Sequence, residues 1–334
     1  MTMPIPSRIL ITGCTGFVGG YLVEQCRIRY PQAELFGVSG HQTSHTATPG
    51  ISDVKLLVAD ITQPEAMRQV VAMSQPDLII HLAAQSSVAA SWKDPIGTLE
   101  VNARGVIHLL EALRSEQLTP RIVLVGSGEQ YGMVPPEDNP IREECPFRPV
   151  NPYAVSKVAQ DLYGYQYFVA YGLPILRVRP FNHFGPRQTP RVVIANFARQ
   201  IALIEAERAE SVLSVGNLEV WRDFLPVEDV VAAYLAVAEQ GQPGEAYNIG
   251  SGQARSIKEV LDLLLTFTRM RIQLREDPML LRPVDVPLLE ADTSRLRADT
   301  NWKPVVPFEF ALKRTLDFWR TVVNSEGHEE VQHA

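Results

Sequence analysis

"ITGCTGFVGGYL", Ile11 to Leu22, decides how this chain begins to fold. The run that leads into it, "RILIT" (Arg8–Thr12), is short, apolar and β-branched, whereas Phe17–Arg29 reads as a helix. Gly13, Gly16 and Gly19 therefore lie in a strand-to-helix turn. Glycines there allow a tight bend and close approach of a pyrophosphate. The helix start, at Phe17 and Val18, offers free amides and the positive end of a dipole. The spacing is G-x-x-G-x-x-G rather than G-x-G-x-x-G, and glycines also serve such turns for packing alone. Their place in a first βα turn makes dinucleotide binding the stronger reading.

Outward from this turn the pattern repeats. Strands are expected at Leu35–Ser39, Val54–Asp60, Asp77–Ala83, Arg121–Ser127 and Pro174–Pro180, and helices at Pro64–Met73, Ile96–Arg114 and Tyr153–Tyr171. Several strands are apolar on both faces, as a sheet sandwiched between helices requires. The fold expected is α/β: a Rossmann-type, doubly wound parallel sheet over residues 1–180, then a smaller mixed α/β lobe over 181–330 for substrate. Some chain is expected to return to the first domain. In the second half the strands stand apart, at Ser211–Gly216, Glu245–Gly250 and Arg271–Arg275. "SIKEVLDLLLTF" (Ser256–Phe267) opens with a capping box, and Pro307–Val323 reads as a closing helix before a polar, frayed tail.

Composition narrows the classes. Of 334 residues, 46% are apolar and 21% charged, as in ordinary globular proteins. The net charge of −7, with no basic run, argues against nucleic acid as a partner. Three cysteines, Cys14, Cys26 and Cys145, lack metal-type spacing and fit a reducing compartment, so no metal is expected. No apolar run is long enough for a membrane span and no signal peptide opens the chain; a cytoplasmic protein is expected.

The coenzyme end carries further marks. Asp60 and Ile61 close the third strand, where an adenine would receive a contact; Asp60 as a helix N-cap is an equal alternative. "HLAAQSS" (His81–Ser87) ends the fourth strand in small residues, which lets a coenzyme lie against backbone. After strand two, "VSGHQTSH" (Val38–His45) has no acid for ribose hydroxyls and no arginine for a 2′-phosphate. NADP and NAD both stay open, with a slight lean to NADP.

Chemistry concentrates in one span. Tyr153 and Lys157 are four apart on a helix and so share a face. A lysine ammonium there would lower the phenol's pKa and hold a nicotinamide ribose. Tyr153 would then exchange a proton with a substrate oxygen while Ser127, at the end of strand five, steers that oxygen. Glu129 suits a different task, removal of a proton from carbon.

These motifs resemble the extended short-chain dehydrogenase/reductases that act on nucleotide sugars. The resemblance runs from about Arg8 to Trp319 through "TGCTGFVGGYL", "HLAAQSSVAASW", "NARGV", "GSGEQYG", "NPYAVSK", "RPFNHFGPRQ", "GNLEVWRDFLPVEDVV", "EAYNIGSG" and "LRPVDV". The second-half motifs are most similar to the GDP-mannose branch. The resemblance implies Gly13, Gly16 and Gly19 at the pyrophosphate, Asp60 and Ile61 at the adenine, and Leu82, Ala83, Ala84 and Gln85 along the coenzyme. It implies Ser127, Tyr153 and Lys157 as the catalytic set, with His183 near the nicotinamide. Ser87, Asn182, Arg222 and Arg282 would meet the sugar or its diphosphate. Arg222 paired with Asp223, and Arg282 as a loop anchor, are the plain structural alternatives. A homodimer through Ile96–Arg114 and Tyr153–Tyr171 is likewise implied.

Two reactions then compete: reduction of the C4 ketone of GDP-4-keto-6-deoxy-D-mannose to GDP-D-rhamnose, and 4,6-dehydration of GDP-mannose with Glu129 as base. Glu129 sits where the dehydratases carry their base, but related reductases keep an acid there too. Ser39–Gly50 is short of the arginines that dehydratases place after strand two, and "NHFGPRQTP" has Phe184 in place of an acid and Gln188 after Arg187. These departures favour reduction. A dinucleotide-binding scaffold without catalysis is the remote third reading.

Overall fold

The computed structural model of the chain describes residues 4–40 and 53–332. The first half runs β1 (Arg8–Thr12), α1 (Phe17–Arg29), β2 (Glu34–Ser39), β3 (Lys55–Val58), α2 (Pro64–Ser74), β4 (Leu78–His81), α3 (Val88–Lys93), α4 (Pro95–Leu99), α5 (Gly105–Ser115), β5 (Arg121–Val125), α6 (Pro152–Tyr171) and β6 (Ile175–Pro180). The second half adds β7 (Asn182–Phe184), α7 (Val193–Glu205), β8 (Val212–Val215), β9 (Trp221–Pro226), α8 (Val227–Gln240), β10 (Ala246–Ile249), β11 (Ala254–Ser256) and α9 (Ile257–Leu265). It closes with β12 (Gln273–Glu276), β13 (Leu288–Leu289), α10 (Ser294–Thr300) and α11 (Phe308–Gln332).

Seven parallel strands form the main sheet in the order β10-β6-β5-β4-β1-β2-β3. Burial explains it. Side chains alternate along β1, so Ile9 and Ile11 pack on one face with Leu22 and Val23 of α1 and Val230, Val231 and Tyr234 of α8. Leu10 points the other way, into Met67 and Val70 of α2 and Leu109, Leu110 and Leu113 of α5. The order reverses between β1 and β4, which opens a crevice at the strands' C-terminal edge. Because all strands are parallel, the turns after β1, β3, β4, β5 and β6 gather at that edge.

A second sheet has the order β11-β9-β13, with β7 also on β9, and β8 pairs with β12. Around it Phe184, Phe197, Phe224, Leu261, Leu264, Leu312, Leu316 and Trp319 make a separate apolar core. The chain crosses between sheets at Phe181, whose amide still bonds to Ile249 while Asn182 already pairs with Phe224. Among the described residues no helix is long and apolar enough to cross a membrane, and no cluster of potential metal ligands occurs.

Several expectations change. The stretch Glu245–Gly250 is not an isolated strand: β10 lies parallel to β6 and completes the main sheet. Ile96–Arg114 is helical throughout but not uniformly α-helical, because a π-helical turn, Glu100–Arg104, lies between α4 and α5. That turn places Asn102 fully inside, where Nδ2 donates to the Gln85 carbonyl (3.0 Å) and to Ser156 Oγ (2.9 Å). The closing helix continues past Val323 to Gln332. The box at α9 forms as read: Ser256 Oγ accepts from the Glu259 amide and Glu259 Oε2 from the Ser256 amide, both at 3.0 Å. Most of Val38–His45 and of Ser39–Gly50, read for coenzyme choice and for reaction type, lies outside the described residues.

Candidate active site

The glycine turn is shaped by crowding. Gly13 has φ +72°, and a Cβ on it would come 2.9 Å from the Ala83 amide nitrogen, so only glycine lets β1 turn beside Leu82–Ala83. A Cβ on Gly19 would collide with the Gly13 carbonyl oxygen, so this glycine seats α1 on its own turn. Gly16 is the N-cap, and among the described residues no side chain caps the helix. The amides of Phe17 and Val18 thus keep the arrangement an anion would use. This turn fits the pyrophosphate of a dinucleotide.

The β4 end is tied to β1. Leu82 N donates to Thr12 O (3.1 Å), Ala83 N to Thr12 Oγ1 (3.2 Å), and Thr12 Oγ1 bonds with His81 Nδ1 (2.9 Å). Burial, with the nearby Lys157 charge, pushes His81 down to about 3, so its ring stays neutral. Ala84 follows in the same part-buried loop. Gln85 spends its side chain on that loop: Nε2 donates to Thr98 Oγ1 (2.9 Å) and the Ser87 carbonyl (3.1 Å). Ser87 Oγ accepts from the Ala90 amide at 3.1 Å as the N-cap of α3.

Asp60 does not cap a helix. Its Oδ1 accepts from the Thr62 amide (2.9 Å) and hydroxyl (2.8 Å), bonds that hold its carboxyl below the usual range, while Gln63 is the N-cap of α2. Ile61 is buried, and a Cβ on Gly105 would lie 2.8 Å from its Cδ1, which brings the start of α5 close to the strand end.

The catalytic span closes on itself. Past β5, Ser127 is extended (φ −164°, ψ 145°) and opens a short 3-10 turn, Gly128–Tyr131. Its amide donates to Gln130 Oε1 (2.7 Å), and its Oγ accepts from the Glu129 amide (3.2 Å), which leaves the hydroxyl proton to point elsewhere. Asn151 caps α6, with Oδ1 accepting from the Ala154 amide at 2.8 Å. Tyr153 and Lys157 follow one turn apart, both buried. Burial pushes the Tyr153 phenol up to about 12; a hydrogen bond with Ser127 lowers it and the Glu129 charge raises it.

Lys157 is held by the protein's own acceptors: its ammonium donates to the Val125 carbonyl (2.9 Å) and Gln160 Oε1 (2.8 Å). Burial brings the lysine down to about 7. Burial disfavours the ammonium and the phenolate each on its own.

Charged groups from the second half meet Glu129. Arg282 Nη1 lies 3.8 Å from Glu129 Oε1, and Asn151 Nδ2 donates to Oε2 at 3.3 Å. Arg222 is buried and donates from Nη1 to the carbonyls of Trp221 (2.8 Å) and Val286 (2.7 Å). Burial lowers its pKa, and it feels the charges of both Glu129 and Arg282, so the three lie in one neighbourhood. The plain pairing of Arg222 with Asp223 does not form. Asp223 instead accepts from the amides of Ser251 (2.7 Å), Gly252 (2.9 Å) and Ala291 (3.2 Å). Asn182 lies at the seam between the sheets, beside His183. The His183 ring stacks near Phe17 (centroids 6.2 Å, 4° between planes), and its Nδ1–H donates to the Phe181 carbonyl at 3.1 Å.

One of the departures used to separate the reactions, Phe184, is a core residue, and Arg187 beside it makes a packing contact. Phe184 is 1% exposed between Phe224 and Phe308, so its identity answers to the core. Arg187 pairs with Glu24 (2.7 Å) and lies 4.0 Å over the Tyr21 ring, which fastens the second half to α1.

Sequence reading missed Asn102, Asn151 and Gln160. Asn151 was findable, as an asparagine ahead of a proline at a helix start, and Gln160 by its spacing of three from Lys157. Asn102 had no such signal, because a π turn leaves no local pattern.

A protein-family model described as GDP-mannose 4,6 dehydratase matches residues 10–315. The chain is 33% identical to GDP-6-deoxy-D-mannose reductase of Pseudomonas aeruginosa, over 96% of this chain and 99% of that one. It is 32% identical to GDP-mannose 4,6 dehydratase 2 of Arabidopsis thaliana, over 95% of this chain and 88% of the relative. Among solved structures it is similar to RMD from Pseudomonas aeruginosa complexed with NADPH (TM-score 0.81, 32% identity, 94% of this chain and 99% of that one). It is also similar to the UDP-glucose 4-epimerase of Thermus thermophilus in complex with NAD (TM-score 0.83, 30% identity, 94% and 99%). With its Rossmann-type sheet and these likenesses over nearly its whole length, the chain belongs to the GDP-mannose 4,6 dehydratase family of extended short-chain dehydrogenase/reductases, NAD(P)-dependent enzymes of nucleotide-sugar chemistry.

Proposed function

We propose that the protein reduces the C4 ketone of GDP-4-keto-6-deoxy-D-mannose to give GDP-D-rhamnose. The observation that carries this direction is the likeness to the GDP-6-deoxy-D-mannose reductase of Pseudomonas aeruginosa, which runs over 96% of this chain and 99% of that one. The buried Tyr153 phenol, protonated at neutral pH, is the acid with a proton to give. Ser127 Oγ accepts from the Glu129 amide, and its hydroxyl proton would orient a carbonyl oxygen. When bound, the reduced nicotinamide of NADPH or NADH supplies the hydride. Tyr153 then protonates the oxygen at C4, and Ser127 steadies that oxygen as its charge grows.

Gly13, Gly16, Gly19, Phe17 and Val18 would hold the coenzyme pyrophosphate. Asp60 and Ile61 would border the adenine, Leu82, Ala83, Ala84 and Gln85 the middle, and Lys157 and His183 the nicotinamide end. Residues 1–180 with the returning α8 and β10 form the coenzyme part in this reading, and most of 181–330 the substrate part. Ser87, Asn182, Arg222 and Arg282 would meet the GDP-sugar, the two arginines facing its diphosphate. The likeness to the Pseudomonas reductase over both full lengths supports the same reading.

Dehydration of GDP-mannose is the second reading, favoured by Glu129 beside Tyr153 with its carboxylate oriented by Asn151. The deciding experiment mixes purified protein, GDP-mannose and NADPH or NADH, with and without an authentic GDP-mannose 4,6-dehydratase. Coenzyme oxidation only with the helper supports the reductase; a 4-keto-6-deoxy product without it replaces that reading with the dehydratase.

A cytoplasmic homodimer completes the proposal. Val155, Leu162 and Val169, spaced by seven on α6, are 49%, 53% and 63% exposed beside the exposed Ile96 and Leu99 of α4. A second copy of this face would cover that stripe.

A further inference from the structure

Lys157, Gln160 and the end of β5 form a closed triangle of hydrogen bonds. The Lys157 ammonium donates to Gln160 Oε1 (2.8 Å) and to the Val125 carbonyl (2.9 Å), and Gln160 Nε2 donates to that same carbonyl (2.8 Å). Gln160 is 0% exposed. An apolar side chain would fill this place in the core without the penalty of burying an amide. Here both ends of the amide are paired, and its oxygen is turned towards the lysine.

The lysine has little other help. Tyr153 lies one turn earlier on α6, and His81 on β4 lies near the ammonium, a ring kept neutral by burial. Asp161, next to Gln160, is closed off by Arg177 (2.7 Å) and Arg179 (2.8 Å). Among the described residues no carboxylate pairs with Lys157. Two of the three ammonium protons go to the triangle, and the third is left for the site.

We propose that Gln160 is a positioning residue that fixes the direction of the Lys157 amine and favours its charged form during turnover. The part that concerns turnover rests on the ketone reduction proposed above; the coupling between the two side chains does not. An acceptor on the ammonium favours the protonated state, and a carboxylate in the same place favours it more. Gln160→Met removes the acceptor, and Gln160→Glu replaces it with an anion of the same shape.

The test is a titration of Lys157 itself. The chain has six lysines. Lys55, Lys258 and Lys313 have side chains 60%, 54% and 55% exposed, and Lys93 and Lys303 are exposed as well. Labelling lysine side chains with nitrogen-15 therefore gives one buried signal to follow by NMR against pH, without substrate. Gln160→Glu should move the Lys157 titration up by about one pH unit or more, and Gln160→Met should move it down. The alkaline limb of kcat/KM for ketone reduction should move in the same directions. A folded Gln160→Glu protein whose Lys157 titrates as in the wild type overturns the proposal, and this isosteric variant decides alone where Gln160→Met fails to fold. A shifted titration with an unmoved kinetic limb overturns the role in turnover. Absence of any ketone reduction by the wild type sinks the proposed function and leaves the NMR result standing.

Discussion

The guanidinium of Arg282 lies 3.8 Å from the carboxylate of Glu129, whose other oxygen accepts from Asn151 at 3.3 Å. A group expected to grip a diphosphate is thus paired, in this structure, with the one acid expected to act on carbon. Asn151 reaches the same acid from the cap of the helix that carries Tyr153 and Lys157. In the proposed reading, nucleotide recognition and proton chemistry would share a boundary here.

Glu129→Gln separates the two candidate reactions. The amide keeps the shape but removes the base. Reduction of the 4-keto sugar should survive within about tenfold, whereas a dehydratase relying on this base should lose about a thousandfold or more. Product analysis with and without supplied ketone checks both.

Arg282→Ala should act on binding rather than folding. Its side chain is 45% exposed, and a solvated pair adds little to stability. Loss of a charge-assisted contact to a diphosphate should raise KM for the GDP-sugar about 10- to 100-fold with kcat largely kept. Steady-state kinetics and a melting curve read the two effects apart.

Tyr153→Phe removes the proton and keeps the ring. Turnover should fall by about a hundredfold to ten-thousandfold while coenzyme and GDP binding stay near wild type. Calorimetry on the variant, beside single-turnover kinetics, tests this. A variant that loses ligand binding while each bound complex still turns over would remove Tyr153 from the chemistry.

His81 makes a pH prediction. Its folded value, about 3, is below the ordinary 6.5, so between those values the unfolded chain holds a proton that the folded one does not. Its contribution to stability is therefore complete above pH 6.5 and declines as pH falls towards 3, at about 1.4 kcal/mol per unit inside the window. In His81→Gln the loss of stability between pH 6.5 and 4.5 should be shallower than in the wild type. Urea unfolding at several pH values measures the slope.

Asp161→Asn strikes the fold beside the site. Asp161 holds Arg177 and Arg179 at 2.7–3.0 Å, and Arg179 also donates to the Tyr131 hydroxyl, which donates to Asn248 on β10. Loss of the carboxylate leaves Arg179, 3% exposed, without its counter-charge. The cost should be about 3–5 kcal/mol, read from denaturant midpoints.

Much of this protein is decided by local pattern. β1 (Arg8–Thr12) and α1 (Phe17–Arg29) sit where the alternation of apolar residues and the glycines put them, because period and turn chemistry are local properties. The box of Ser256 and Glu259, and the shared face of Tyr153 and Lys157, are legible for the same reason. Other features arise only when distant segments meet. Nothing near Ala246 says that β10 must join β6, since a buried strand reads alike in any sheet. The π turn at Asn102 is set by Gln85 and Ser156, far away in the chain. Phe184 read as a functional departure until its neighbours, Phe224 and Phe308, made it core. The acceptors that hold the Lys157 ammonium, Gln160 Oε1 and the Val125 carbonyl, meet it only once α6 packs on β5. Sequence carries the periods, caps and glycine turns because each is settled among near neighbours. Burial, charge state and the meeting of Arg282 with Glu129 depend on the solvent that packing removes, and only the tertiary structure decides them.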